Sequence, residues 1–400
     1  MRLEASSIFI ALGGGLVRTA QAASSTVQLV NDTGCGCFLT NGSEPTYYAR
    51  HMFFDFRSLG QYARVPDIIT NDTVASYSPP PATSSPATAG TTPGRFRAGA
   101  TGTVAAVTAK AKGSHRRRHG ADGQLPSNVY IEKNNDSGAA SDTHLTLRTK
   151  RLQGFQTAAE FQAQDSHYRF LSLRMLARTV GDPGAVSAIF TYREAQSLTD
   201  VQEADIEILT RGPRNKIQYT NQPSYQDQSG GGDHNGDDPK ATRNATMPHG
   251  LRWTDWAVHR LDWTPRRSVW FVDGVEVASI DFQVPRDASG LNINSWSDGG
   301  QWSGNMSVGG ESKLQIQWLE MVFNTTDDGD ARSTNKQRKR AAAGDAGCKV
   351  VCSIDETNRT GTAAKLWEGA AAARPSSTAA STVFWLFACA VGTAMWLSAV

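Results

Sequence analysis

The chain has 400 residues, 20% of them charged, with 40 Lys and Arg against 38 Asp and Glu for a net charge of +2. That near-neutral balance argues against a nucleic-acid binder, which needs a broad basic face. No long stretch repeats apolar residues at i, i+3, i+4 and i+7, so little helix is expected.

At the N-terminus, Arg2 is followed by an apolar run from Ile8 to Val17 and then by Ala20-Gln21-Ala22. Charge, apolar stretch and small-x-small site in that order predict a secretory signal peptide over 1–22, with a buried first strand as the competing reading. Residues 23–75 carry aromatic and polar segments, among them Tyr47-Tyr48 and Met52-Phe53-Phe54-Asp55-Phe56, and read as the N-terminal part of a β domain. Residues 76–126 differ in kind. Pro79-Pro80-Pro81, a Ser/Thr/Ala/Gly-rich composition and His115-Arg116-Arg117-Arg118-His119 offer too little apolar surface to offset ordering entropy, which predicts a low-complexity, disordered insertion. The basic run is read as a solvated loop, as is a second one from Lys336 to Arg340.

From residue 128 onward the hydrophobic period is two. Strands are predicted over 129–132, 144–148, 168–178, 185–192, 202–209, 217–221, 258–263, 268–272, 277–282, 291–295 and 314–324, punctuated by Gly, Pro, Asn and Asp. Asp273-Gly274 between two β-rich runs predicts a hairpin turn. About a dozen short strands with no helices between them predict an all-β fold: a two-sheet β-sandwich or jelly roll.

The C-terminal part, 331–373, reads as a Cys-containing segment and spacer. Val383 to Val400 is apolar and uncharged, and is preceded by a polar spacer and by small residues from Gly369 to Ala373. That order matches a GPI-attachment signal over 374–400, and a spanning helix would more usually carry a basic flank. Eight N-x-S/T sequons, at Asn31, Asn41, Asn71, Asn135, Asn244, Asn305, Asn324 and Asn358, agree with secretion and predict a glycosylated surface. Of the five cysteines, Cys389 goes with the tail. Cys35 and Cys37 face Cys348 and Cys352 from opposite ends of the mature chain, and in an oxidising compartment they are expected to tie those ends together. Three connectivities remain open.

The segment Gln202-Glu203-Ala204-Asp205-Ile206-Glu207-Ile208-Leu209 holds three acids at i, i+2 and i+4. On a strand all three project from one face, while Ala204, Ile206 and Ile208 project from the other into a core. Aligned carboxylates repel one another, and no Lys or Arg interleaves them to compensate. Nearby Tyr192, Tyr219, Asn221, Gln222, Trp296 and Trp302 are groups compatible with sugars. Retaining glycoside cleavage needs two carboxyl groups about 5–5.5 Å apart, one as nucleophile and one as acid/base. Glu203 and Glu207 fit those roles, with Asp205 hydrogen-bonding to Glu203 and tuning its charge. Crowding is expected to raise at least one apparent pKa and help Glu207 stay protonated.

E-x-D-x-E on a strand of an all-β secreted protein resembles glycoside hydrolase family 16, in the spacing used by its lichenase-like and fungal cell-wall transglycosylase branches. Ile217-Gln218-Tyr219-Thr220-Asn221, His259-Arg260-Leu261-Asp262-Trp263, Trp270-Phe271-Val272-Asp273-Gly274 and Asn292-Ile293-Asn294-Ser295-Trp296 resemble further segments of the family. The resemblance implies a concanavalin A-like jelly roll acting on β-1,3 or mixed-linkage β-1,3/1,4 glycans. It implies Glu203 as nucleophile, Asp205 as assistant and Glu207 as acid/base. It also implies Asn221, Asn294 and Trp296 beside the sugar sites, with His259 either lining the cleft or serving as a structural residue.

The expected catalytic domain spans 127–330. No cofactor or metal is expected. Asp233-His234-Asn235-Gly236-Asp237-Asp238 has the look of a calcium loop but lacks Gly at its sixth position and a terminal Glu. The expected protein is a secreted, GPI-anchored monomer at the cell surface or wall, acting on β-glucan. The alternatives are a cell-wall transglycosylase, a non-catalytic glycan-binding protein on the same fold, and a structural wall protein.

Overall fold

The computed structural model describes residues 28–68, 122–124, 128–163, 165–195, 200–224, 238–326 and 348–369. The predicted signal peptide, most of the 76–126 stretch, most of the acidic 233–238 loop and the predicted GPI signal lie outside the described residues. Strands dominate. The N-terminal segment forms β1 (Gln28–Val30), β2 (Cys37–Leu39), β3 (Tyr47–Tyr48) and β4 (Arg50–Asp55). The middle of the chain forms β5 (Asp122–Gln124), β6 (Val129–Lys133), β7 (Thr143–Lys150), β8 (Gln156–Gln162), β9 (Tyr168–Gly181), β10 (Val186–Arg193) and β11 (Gln202–Leu209). It continues with β12 (Lys216–Gln222), β13 (Thr242–Thr246), β14 (Ala257–Trp263), β15 (Ser268–Val272), β16 (Val275–Ile280), β17 (Gly290–Trp296) and β18 (Glu311–Thr325). The C-terminal segment adds β19 (Val350–Ser353) and β20 (Ala363–Glu368).

Two large sheets form the predicted sandwich. One runs β13-β12-β11-β10-β17-β8-β5. The other runs β16-β15-β14-β9-β18-β7-β6, with β4 also pairing with β18. Alternation decides what lies between them. Leu171, Leu173, Met175 and Ala177 of β9 face inward against Ala204, Ile206 and Ile208 of β11, all in one apolar core. Asp273 and Gly274 both have positive φ (46° and 79°), the type I′ pairing that matches the twist of a two-residue hairpin, and they join β15 to β16 as expected. Strand β5 falls inside the stretch read as an insertion; it pairs in parallel with β8 at the sheet edge.

The third sheet, β1-β20-β19-β2-β3, was not legible in the sequence. It joins the two ends of the chain, and both disulfides stitch it: Cys35–Cys352 and Cys37–Cys348. This settles the connectivity left open above. The small sheet sits on the outer side of the β9–β14–β18 region through buried charges. Arg260 makes two hydrogen bonds of 2.7 Å to Asp262 and also donates to the Asn41 carbonyl at 2.7 Å. Arg174 Nη2 lies 2.6 Å from Asp355 Oδ1, and Asp355 Oδ2 accepts from the Asn41 amide.

His51 of β4 belongs to this seam. Its Nδ1 lies 2.8 Å from Asp32 and its Nε2 3.0 Å from Glu320. Burial alone would depress the imidazole, but the two carboxylates outweigh it and hold the pKa at about 9. A raised histidine stabilises the fold fully below its unfolded value near 6.5 and loses that contribution as pH rises through 9. The shift corresponds to about 3 kcal/mol at most. Thermal unfolding followed from pH 6 to 10 is therefore expected to show a fall in Tm between 6.5 and 9. That fall should flatten in His51→Gln.

Candidate active site

Strand β11 lies in the interior of the seven-stranded sheet, paired with β10 on one side and β12 on the other. Its inward residues, Ala204, Ile206 and Ile208, anchor it to the core. Period two therefore sends Glu203, Asp205 and Glu207 to the outer face. Directly paired residues of an antiparallel ladder share a face. The rows across this face are accordingly Gln222–Glu203–Tyr192, Thr220–Asp205–Phe190–Asn292 and Gln218–Glu207–Ala188–Asn294.

Glu203 and Glu207 are half-buried, while Asp205 between them is 3% exposed. The Glu203 carboxyl is pushed up to about 8, first by desolvation and then by the charge of Glu207, against a hydrogen bond from Asp205 that lowers it. The shift falls on Glu203, where the sequence reading placed its benefit at Glu207. The two carboxyls titrate as one unit, and desolvation together with the charge of Glu207 keeps a proton on the pair through neutrality. Trp302 Nε1 donates to Glu207 Oε1 at 3.2 Å. The loop holding this indole is pinned by Arg211, whose Nε donates to the Trp302 carbonyl at 2.7 Å, and by Ser303 Oγ on Asp298 at 2.6 Å. Gly184 lets the loop approach: its φ is +104°, and a Cβ there would sit 2.5 Å from the Met306 backbone nitrogen.

Four of the seven predicted sugar-contacting residues share the acids' surroundings. Tyr192 stands directly across from Glu203, and its phenol is pushed up by burial and then by the charges of Glu203, Glu194 and Glu160. Asn294 lies on the Glu207 row, and its Oδ1 accepts no hydrogen bond from the described residues. Trp296 ends the same face of β17, and Trp302 reaches Glu207. Three predicted residues lie elsewhere. Tyr219 pairs with Ile206 and points into the core, 1% exposed, against Trp270. Asn221 pairs with Ala204, is fully buried and donates to the Phe282 carbonyl at 3.0 Å. Their strand neighbours Gln218, Thr220 and Gln222 take the outer face instead. His259 belongs to the other sheet, 2% exposed on the inward side of β14 with Ala257 and Leu261, and burial depresses its pKa to about 4. It is a neutral core histidine.

A cavity of about 700 Å³ adjoins the Glu203 row at the ends of β10, β11 and β12, lined by Arg193, Gln202, Gln222, Gln283, Arg286 and Asp287 among others. The three acids are not part of its lining. Among the described residues, no group of three or more His, Cys, Asp or Glu is arranged to hold a metal ion.

Residues 126–320 match the sequence model of the glycosyl hydrolases family 16. That stretch, 195 of the 400 residues, is similar to the catalytic domains of that family. A beta-glucanase of Fibrobacter succinogenes is 27% identical over 208 residues, covering 49% of this chain and 54% of that protein. The chain thus spans about half the length of this curated relative. Among solved structures, a Bacillus licheniformis beta-glucanase aligns at 18% identity and a TM-score of 0.41, over 53% of this chain and 90% of that one. The catalytic domain of an endo-1,3-beta-glucanase (laminarinase) from Thermotoga petrophila aligns at 14% identity and a TM-score of 0.40, over 52% and 83%.

The matched region holds the whole acid-bearing row, whereas the disulfide-stitched sheet is built from segments on either side of it. Sequence reasoning missed Phe190, Asn292 and Gln218 on this face. Asn292 is buried, and its Oδ1 accepts no hydrogen bond from the described residues. Counting parity outward from the acids finds such residues, but only once the pairing of the strands is known.

Proposed function

We propose that this chain is a secreted retaining glycoside hydrolase of β-glucan, acting at the cell surface or wall on β-1,3 or β-1,3/1,4 linkages and held there by a GPI anchor. The observation that carries the reading is the pair of coupled carboxyls, Glu203 and Glu207, projecting from one outer sheet face with Asp205 bonded between them. The Glu203 carboxylate attacks the anomeric carbon. The bond from that carbon to the leaving oxygen breaks, and this oxygen takes the proton of Glu207. Glu207, now ionised, then takes a proton from water as the water oxygen attacks the same carbon, which releases the sugar and frees Glu203. Asp205 positions Glu203, and the Trp302 indole positions Glu207. Tyr192, Asn294 and Trp296 supply polar groups and ring faces to the sugars.

The E-x-D-x-E spacing and the expected anchor favour a second reading of the same site, in which a glycan hydroxyl replaces water and the enzyme is a transglycosylase. Product analysis on laminarin, lichenan and mixed-linkage glucan, with and without labelled acceptor oligosaccharides, tests both. Shortened products support hydrolysis and labelled longer ones support transfer. Binding without any change in chain length would leave a lectin.

Two outcomes follow for the pair. The value of kcat/KM is expected to fall as pH rises past about 8, where the shared proton is lost, and a pH profile on soluble glucan measures this. Trp302→Phe removes one donor to a carboxylate, a bond worth about 1.5–3 kcal/mol, and is expected to lower kcat roughly 10- to 100-fold with little change in KM.

A further inference from the structure

The sequons divide into two groups once folded. The side-chain amide of Asn324 accepts from the Ala49 amide and donates to the Tyr47 carbonyl, so its nitrogen is tied into the seam of the small sheet. Asn244, by contrast, is exposed on β13, the edge strand of the acid-bearing sheet. Its register partner is Gln218, whose own partner across β11 is Glu207. Asn244 therefore projects from the same face as the acids and on the same row, two strand spacings or about 10 Å from the Glu207 backbone. Thr246, also exposed, completes the sequon.

We propose that Asn244 carries an N-linked glycan that overhangs the β13 end of the acid-bearing face and limits how much of a polysaccharide lies there. This rests on the secretory and glycosidase readings above. In the attachment step the Asn244 amide nitrogen bonds to the anomeric carbon of an oligosaccharide carried on a polyprenyl diphosphate. The bond from that carbon to the diphosphate oxygen breaks, the lipid diphosphate leaves with the electron pair, and the amide proton passes to a base. A bulky polar tree attached before folding is compatible only with a side chain whose amide nitrogen ends in solvent, as Asn244 does and Asn324, which donates to the Tyr47 carbonyl, does not. An exposed edge strand also gains protection from such a tree, because it blocks pairing with another chain.

The test uses the full chain made in a eukaryotic secretory host. Enzymatic release of glycans in heavy-oxygen water, followed by peptide mass spectrometry, is expected to mark Asn244 as occupied and Asn324 as unoccupied. Asn244→Gln and Thr246→Ala both remove the sequon. Both are expected to leave turnover of short β-gluco-oligosaccharides unchanged while co-sedimentation with polymeric β-glucan tightens about tenfold, a factor equal to 1.4 kcal/mol. An unmarked Asn244, or an occupied one whose removal leaves polymer binding unchanged, overturns the proposal. Loss of turnover on short oligosaccharides in the wild type overturns the glycosidase reading instead, and polymer binding still reports on the glycan.

Discussion

Glu203→Gln is expected to abolish turnover of β-glucan, with a loss of about 10⁴-fold or more, the scale on which hydrolases register removal of a nucleophile. The amide is nearly isosteric and keeps a hydrogen-bonding partner for Asp205, but it cannot attack the anomeric carbon. Because Glu203 lies on the outer face and is half-buried, the variant should fold. Its stability should even rise. A carboxyl whose folded pKa is lifted from the model-peptide range to about 8 favours the fold most below pH 4.5, and loses that contribution as pH climbs to 8. The neutral amide escapes the loss. At pH 8 the inactive variant should therefore melt above the wild type, a combination that misfolding does not produce. Turnover assays and differential scanning calorimetry on the same preparation check both halves.

Asp355→Ala carries the largest expected structural cost. Asp355 lies within 2.6 Å of Arg174 and 3.3 Å of Arg260, both guanidiniums being buried, and it accepts the Asn41 amide at 2.7 Å. Truncation leaves two buried cations short of a counter-charge, which typically costs 3–5 kcal/mol. Across a domain of this size that is a fall in Tm on the order of 10 °C. The seam lies on the sheet that does not carry the acids, so kcat at 25 °C should hold. A fall in Tm of only a degree or two would mean the small sheet is seated by its disulfides and apolar contacts alone.

The acid row was legible because it needs only period two: Ala204, Ile206 and Ile208 state which side is core, and Glu203, Asp205 and Glu207 follow. The long strands of the sandwich were legible for the same reason. Strand β13 was not, since an exposed edge strand reading Thr-Arg-Asn-Ala-Thr has no apolar alternation to betray it. Strand β8 was hidden by short side chains, Ala158 and Ala159, whose burial comes from neighbours far away in sequence. The small sheet is made of strands such as Cys37–Leu39, too short to show any period, and its cohesion comes from contacts over 300 residues apart. Tyr219, Asn221 and His259 are chemically suited to sugars, but residue type does not carry orientation. Register turned the first two inward, and the third belongs to the sheet behind. His51 with Asp32 and Glu320 joins residues that no local pattern relates.

The central claim is that Glu203 becomes covalently bonded to the sugar while Glu207 manages the proton. Incubation with a 2-deoxy-2-fluoro β-glucosyl or laminaribiosyl donor bearing a good leaving group slows release of the glycosyl-enzyme, and peptide mass spectrometry locates the adduct. The expected result is one sugar on the peptide containing Glu203, absent from Glu203→Gln. A label on Glu207 instead, or an enzyme that turns over β-glucan at full rate yet never takes up the label, would contradict it.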